Sequence, residues 1–131
     1  MQERITTAGV LKKGNLFFIA KREQSGSIGG LWEFPGGKNR YGESEMETLK
    51  REFTEELALD IEVGQLLHAH DFTNKDTLYH LKAYRVSAKN PDACQLSVHS
   101  EFRWVNLEQL SEYEFAPSDQ EIVKTLQQTT R

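Results

Sequence analysis

Three glutamates, Glu52, Glu55 and Glu56, stand at i, i+3 and i+4 in the run Arg51-Glu52-Phe53-Thr54-Glu55-Glu56. On a helix, at about 100° per residue, their directions fall within an arc of about 100°. Like charges so spaced weaken an isolated helix by about 0.2–0.5 kcal/mol per pair, so something must offset the repulsion. One reading is a solvated acidic face with Lys and Arg nearby. The other is a cation site, because hard divalent ions such as Mg²⁺ take oxygen ligands and share them with substrate phosphates. The flanking residues favour the second. Pro35-Gly36-Gly37 leads into a loop that Gly42-Glu43-Ser44 closes, and a glycine-containing loop before a helix lets backbone groups approach a ligand closely.

Those residues need a scaffold. Residues 44–59 read as the strongest helix. Ser44 with Glu47 makes a capping box, and Met46, Leu49, Phe53 and Leu57 form an apolar stripe at spacings of three and four, apart from the glutamate arc. Residues 5–11 and 16–21 read as strands around a turn at 12–15, and 61–73 and 77–87 as longer strands around 74–76. Residues 24–30 read as a Gly/Ser loop, 31–34 as a short extended piece stopped by Pro35-Gly36-Gly37, and 102–105 as another short strand. A second helix spans 118–128, with a capping box from Ser118 to Glu121 and a buried side of Ile122, Val123 and Leu126. Strands before, between and after two helices predict an α/β fold, a mixed sheet with a helix on each side. Hairpin links predict that much of it is antiparallel.

The chain has 131 residues, enough for one compact domain over 1–131, and a formal net charge of -4. That charge argues against a protein that coats DNA or RNA, which carries a basic stripe. It also means that handling phosphates requires a cation. The lone cysteine, Cys94, allows no internal disulfide, and no His or basic cluster nearby activates it. With no signal-peptide run and no apolar stretch of about 20 residues, the expectation is no membrane partner and a reducing, cytoplasmic setting. His68 and His70 share a strand face, but no third zinc ligand is evident. Trp32, Phe34, Tyr79 and Tyr84 read as core or pocket wall, with Phe34, beside the glycines, the one to border a base.

Gly37, Glu43, Arg51, Glu52, Phe53, Glu55, Glu56 and Leu59 match the box of the Nudix hydrolase family: Gly, five residues, Glu, seven residues, Arg-Glu, a hydrophobic, any residue, Glu-Glu, any residue, Gly, a hydrophobic. Ala58 departs, standing where the family usually has Gly, and Phe53 is bulkier than the usual aliphatic. The change at Ala58 touches helix termination, not the ligands. Leu31 to Lys38 and Phe115 to Asp119 resemble the MutT-type branch, so the resemblance covers nearly the whole chain. It implies the Nudix α/β/α sandwich and attack of water on a nucleoside triphosphate, giving a monophosphate and pyrophosphate.

By position, the resemblance makes Glu52, Glu55 and Glu56 ligands of Mg²⁺ (or Mn²⁺), helped by the carbonyl of Gly37. Glu52 is also a candidate to orient or deprotonate water, and Arg51 to hold a box carboxylate in place. Glu43 supports the loop–helix junction, and Lys38 joins the substrate-binding set. Arg22 resembles a phosphate-binding residue, or is an exposed strand-end arginine. Related enzymes carry a further acidic residue at the position of Val98; Glu101 replaces it, or it is absent. Asp119 aligns with the base-reading residue, or is a helix N-terminal aspartate facing the macrodipole. As an ionised acceptor it favours a base edge rich in N–H donors. The expected partner is a nucleoside triphosphate, 8-oxo-dGTP first and CTP, dCTP or a modified dCTP second, acted on by a monomer or homodimer without a nucleic-acid polymer. A catalytically inactive nucleotide-binding Nudix domain is the alternative of another class; such domains commonly lose box glutamates, all of which are present.

Overall fold

In the computed structural model, which describes residues 1–24 and 29–129, the chain opens with a hairpin. β1 (Gln2–Lys13) and β2 (Leu16–Arg22) meet at Gly14-Asn15, with Gly14 at φ +58. Glycine supplies the positive φ that a two-residue hairpin turn requires. Lys12 and Lys13, expected in the turn, pair with Phe17 and Leu16 instead. Of the expected 24–30 loop, residues 25–28 lie outside the described residues.

β1 changes partners along its length. From Gln2 to Leu11 it pairs in parallel with β6 (Thr77–Ala88), which pairs antiparallel with the edge strand β5 (Ile61–Asn74). On its other edge, Thr6 to Ala8 pair antiparallel with β4 (Gly36–Lys38). β2 carries β3 (Trp32–Glu33) on one edge and β7 (His99–Val105) on the other. β4 corrects the expectation that Pro35-Gly36-Gly37 only stops a strand. A Cβ on Gly36 would lie 2.1 Å from the Thr7 carbonyl oxygen, so glycine here serves close strand approach. β7 begins three residues before the expected Phe102, and this places His99 in the sheet.

The helices lie on opposite faces. α1 (Glu45–Leu57) buries Leu49, Phe53 and Leu57 against Leu11, Phe18, Ile61 and Val86. α2 (Pro117–Thr129) buries Ile122, Val123 and Leu126 in a cluster with Val10, Phe17, Ile19 and Leu81. Phe17 and Ile19 thus point one way and Phe18 the other, the two-residue period of a strand buried on both faces. The result is the expected α/β/α arrangement on a mixed sheet. No described helix is long and apolar enough to cross a membrane.

Two helix details differ from expectation. Met46 has the right direction for the apolar stripe but is 51% exposed. It sits in the first turn, outside the packed part of the stripe. The Ser44–Glu47 capping box forms as expected, but α2 starts at Pro117, one residue earlier than its presumed cap. Proline suits that first position because its missing N–H would have no partner. Ser118 is therefore inside the helix, and its hydroxyl donates to Asp119 Oδ1 at 3.0 Å.

Candidate active site

The loop before α1 is fixed from within. Thr48, fully buried, donates to Glu43, and Asn39 Nδ2 donates to both the Thr48 hydroxyl and the Glu43 carbonyl. Glu43 accepts from Arg51 through two nitrogens, at 2.6 and 3.0 Å. The Arg51 hydrogen bonds are the main reason the Glu43 carboxyl is held down at about 2, and these bonds in turn push the Arg51 pKa further up. Arg51 also donates to Glu52 at 2.7 Å, Glu55 at 3.2 Å and the Lys38 carbonyl at 3.1 Å. One guanidinium thus ties the loop, β4 and two box carboxylates together, a task suited to its rigid fork of donors.

Glu52 lies directly over Gly37: a Cβ there would stand 2.5–2.7 Å from its carboxylate. The Gly37 carbonyl accepts from the Thr7 hydroxyl at 3.0 Å. Glu56 points inward and is 8% exposed. Burial raises its pKa to about 8 against the opposing charge of Arg22, with Glu33 and Glu52 pushing the same way as burial. Its Oε1 is buried and has no hydrogen-bond partner among the described residues. Glu55 stands at the outer rim beside Arg51 and Arg40.

Behind these lies a buried charged cluster. Arg22 Nε is 3.2 Å from Glu33 Oε2 and its Nη2 is 3.6 Å from Glu56 Oε2. His99 Nε2 is 2.9 Å from the same Glu33 oxygen. Ligand atoms of Glu33, Glu56 and His99 fall within 4.8 Å of one another, a spacing that could admit a metal. The Arg22 guanidinium already supplies positive charge there, so a metal would have to displace it. Arg22 is therefore no simple exposed strand-end arginine.

Arg22, Glu33, Phe34, Gly37, Lys38 and Asp119 line one cavity of about 460 Å³, with Arg51, Glu52 and Glu56 also on its wall. Phe34 stacks on Phe115, and Tyr79 on Phe72. Lys38 Nζ sits 5.5 Å from the Tyr79 ring centre. Asp119, 6% exposed, accepts from the Phe34 N–H at 2.7 Å. Burial, reinforced by Glu33, raises its pKa to about 7.

Arg22, Phe34, Gly37, Lys38, Glu52, Glu56 and Asp119 are thus brought to one cavity, with Glu43 and Glu55 linked through Arg51. Glu101 is not: it pairs with Arg103 at 2.7 Å and lies outside the cavity wall. Glu33 and His99 were missed. Glu33 is a carboxylate set in the apolar run Leu31-Trp32-Glu33-Phe34, which is the signal that could have marked it. The pairing of His99 depends on strand register, which local sequence does not reveal. His68 and His70 face each other at 2.7 Å, and His68 also meets Thr125. Cys94 has its pKa raised, mainly by burial, as for an unactivated thiol. Trp32 is core, and Tyr84 packs beside α1 and bonds to Glu45.

The residues present fit a hard divalent cation. Glu52 and Glu56 bring like charges together, Glu56 keeps a buried oxygen unpartnered among the described residues, and the missing Cβ of Gly37 leaves room for the Glu52 carboxylate.

A family model for the NUDIX domain matches residues 6–125. The chain is 31% identical over 115 residues to the CTP pyrophosphohydrolase of Escherichia coli (strain K12), covering 86% of this chain and 82% of that protein. It is 44% identical over 71 residues to the 8-oxo-dGTP diphosphatase of Proteus vulgaris, covering 52% and 63%. The solution structure of the E. coli ORF135 protein superposes with a TM-score of 0.86 at 26% identity, covering 100% of this chain and 94% of that one. With the box residues gathered on α1 and β4 in an α/β/α sandwich, the chain belongs to the Nudix hydrolases, enzymes acting on phosphoric anhydrides.

Proposed function

We propose that the chain is a Mg²⁺-dependent nucleoside triphosphate pyrophosphohydrolase, converting a nucleoside triphosphate and water into a monophosphate and pyrophosphate, with 8-oxo-dGTP as its substrate. The observation that carries the proposal is that one cavity is lined together by the box carboxylates Glu52 and Glu56, by the aromatic rings of Phe34, Phe72 and Tyr79, and by the buried Asp119. Glu52, Glu55 and Glu56, with the Gly37 carbonyl, hold the cation. When bound, the cation neutralises phosphate charge and eases deprotonation of the attacking water. Arg22 and Lys38 bind phosphate oxygens. Arg51 fixes Glu52, which orients the water and accepts its proton. Phe34 packs on the base and Asp119 reads its edge. 8-Oxoguanine presents N–H groups at positions 1, 2 and 7, donor sites on both of its edges for a cavity whose lining includes the carboxyls of Glu33 and Asp119. A second reading is hydrolysis of CTP or dCTP, favoured by the E. coli relative named for CTP and by the single donor site of cytosine, its 4-amino group.

The test is release of pyrophosphate from 8-oxo-dGTP, dGTP, CTP and dCTP with and without Mg²⁺, alongside Glu55→Gln. The expected result is Mg²⁺-dependent turnover with the highest kcat/KM on 8-oxo-dGTP, and loss of at least tenfold in the variant. A large preference for CTP overturns the substrate and keeps the reaction. No turnover, with nucleotide binding unchanged in Glu55→Gln, points to an inactive binding domain.

A further inference from the structure

His99 is 3% exposed and has no place in the box. It reaches Glu33, on the cavity wall, through an irregularity in the sheet. Along β2 and β7, Ala20 pairs with Phe102 and Lys21 with Glu101, but Arg22 pairs with His99, the register shifting between Lys21 and Arg22. Without that bulge Ser100 would stand opposite Arg22, and His99 would project from the other face. Bulges re-aim side chains in this way.

The ring nitrogen that the bulge aims inward, Nε2, meets Glu33 Oε2 at 2.9 Å, while Nδ1 is buried and has no hydrogen-bond partner among the described residues. A carboxylate oxygen can only accept, so Nε2 carries the proton and donates. Glu33 is pinned from two sides. His99 holds its side chain, and the peptide following it gives the Phe34 N–H to Asp119 at 2.7 Å. The Glu33 oxygen that His99 holds is also the one nearest Arg22 Nε. Glu33 therefore stands between the phosphate arm and the base-reading end, with its charge felt at both Glu56 and Asp119.

We infer that His99 is a positioning residue for substrate selection: its Nε2–H donor holds Glu33 in place, and with it Arg22 and the Phe34–Asp119 wall of the nucleotide pocket. The inference rests on the proposed nucleotide hydrolysis for its kinetic consequence and on geometry alone for the tautomer. Removing the donor leaves the carboxylate free to rotate towards Arg22, which withdraws Arg22 from phosphate and loosens the base end. Among the described residues Glu52 and Arg51 form no hydrogen bond or ion pair with His99, and they keep their arrangement.

The experiment compares the full chain with His99→Leu and His99→Gln. The glutamine amide can place an N–H near the position of Nε2. In the wild type, nitrogen-15 NMR of the imidazoles is expected to show the His99 proton on Nε2. In His99→Leu, KM for the preferred triphosphate is expected to rise at least about tenfold, the loss of a charge-assisted hydrogen bond. Discrimination among 8-oxo-dGTP, dGTP, CTP and dCTP narrows, and kcat changes less than about threefold. His99→Gln is expected to restore KM to within about threefold of wild type. An Nδ1–H tautomer, an unchanged KM and discrimination in His99→Leu, or a His99→Gln no better than His99→Leu overturns the inference. If His99→Leu does not fold, the tautomer and the His99→Gln constants still decide it. A wild type that turns over none of the four nucleotides overturns the proposed function, and the tautomer then decides the role of His99.

Discussion

Ala58, the one residue that departs from the Nudix box, allows a quantitative test of how α1 ends. It adopts φ 55, ψ 35, the left-handed region. Its N–H bonds to the Thr54 carbonyl at 3.1 Å, and the next N–H, of Leu59, bonds to the Phe53 carbonyl at 3.3 Å. This turn brings Leu59 back onto the cluster of Phe53 and Leu57. An L-residue there costs about 1–2 kcal/mol relative to ordinary helical backbone, whereas glycine escapes that strain and loses about 0.5–1 kcal/mol more backbone entropy. The difference predicts that Ala58→Gly stabilises the protein by about 0.5–1 kcal/mol. Unfolding entropy of about 2.1 cal/mol/K per residue converts this into a rise in Tm of about 2–4 °C. Thermal and urea unfolding at one pH measure it, with Ala58→Val as control. Valine, stiff at its branched Cβ, should lose stability. A Tm for Ala58→Gly at or below wild type, or an undisturbed Ala58→Val, refutes the left-handed cap. Turnover should not change, since the cap touches no cavity residue.

Further outcomes follow from other contacts. Gly37→Ala places a methyl 2.5–2.7 Å from the Glu52 carboxylate. It should cut kcat at least tenfold while leaving the circular dichroism spectrum intact. The raised carboxyls of Glu56, at about 8, and Asp119, at about 7, hold protons in the folded chain that the unfolded chain releases near 4.5 and 3.8. The metal-free protein should therefore lose stability as pH climbs from about 5 to 8. Glu56→Gln should flatten that slope, as followed by urea midpoints. Cation affinity, read by titration calorimetry, should rise with pH and level off above about 8, because the ion must displace the Glu56 proton. Gly9→Ala sets a methyl 2.5 Å from the Phe53 ring and should cost about 1–3 kcal/mol. Adding Phe53→Leu should recover part of it, and additive losses would refute the contact.

What could be read from the sequence was local. Glu52, Glu55, Glu56 and Arg51 sit on a single helix whose cap, period and end are encoded within it, so their spacing alone predicts a shared face. The same logic misplaced Met46, because a helical wheel gives direction but not how far along its axis a helix is covered. Glu101, offered by the resemblance as one alternative for the acidic residue missing at Val98, pairs with Arg103. Glu33 and His99 are joined across 66 residues by a strand pairing with a bulge, and no local pattern announces a bulge. Pro35-Gly36-Gly37 reads as the stop to a strand, whereas the tight approach of β4 to β1 requires glycine at 36 and the Glu52 carboxylate requires it at 37.

The parallel pairing of β1 with β6 has a consequence in time. Gln2 pairs with Thr77 and Leu11 with Val86, so every partner lies 75 residues further on. Translation at about 5–20 residues per second leaves β1 waiting roughly 4–15 s for β6 to be made. Its hairpin with β2 can close at once, but Val10 and Leu11 stay uncovered on that edge until more than half the chain has emerged. Contacts so distant also place refolding among slower small proteins, milliseconds to seconds rather than microseconds. The strand that anchors both helical layers is thus made well before its β6 partner and is among the last to be fully paired.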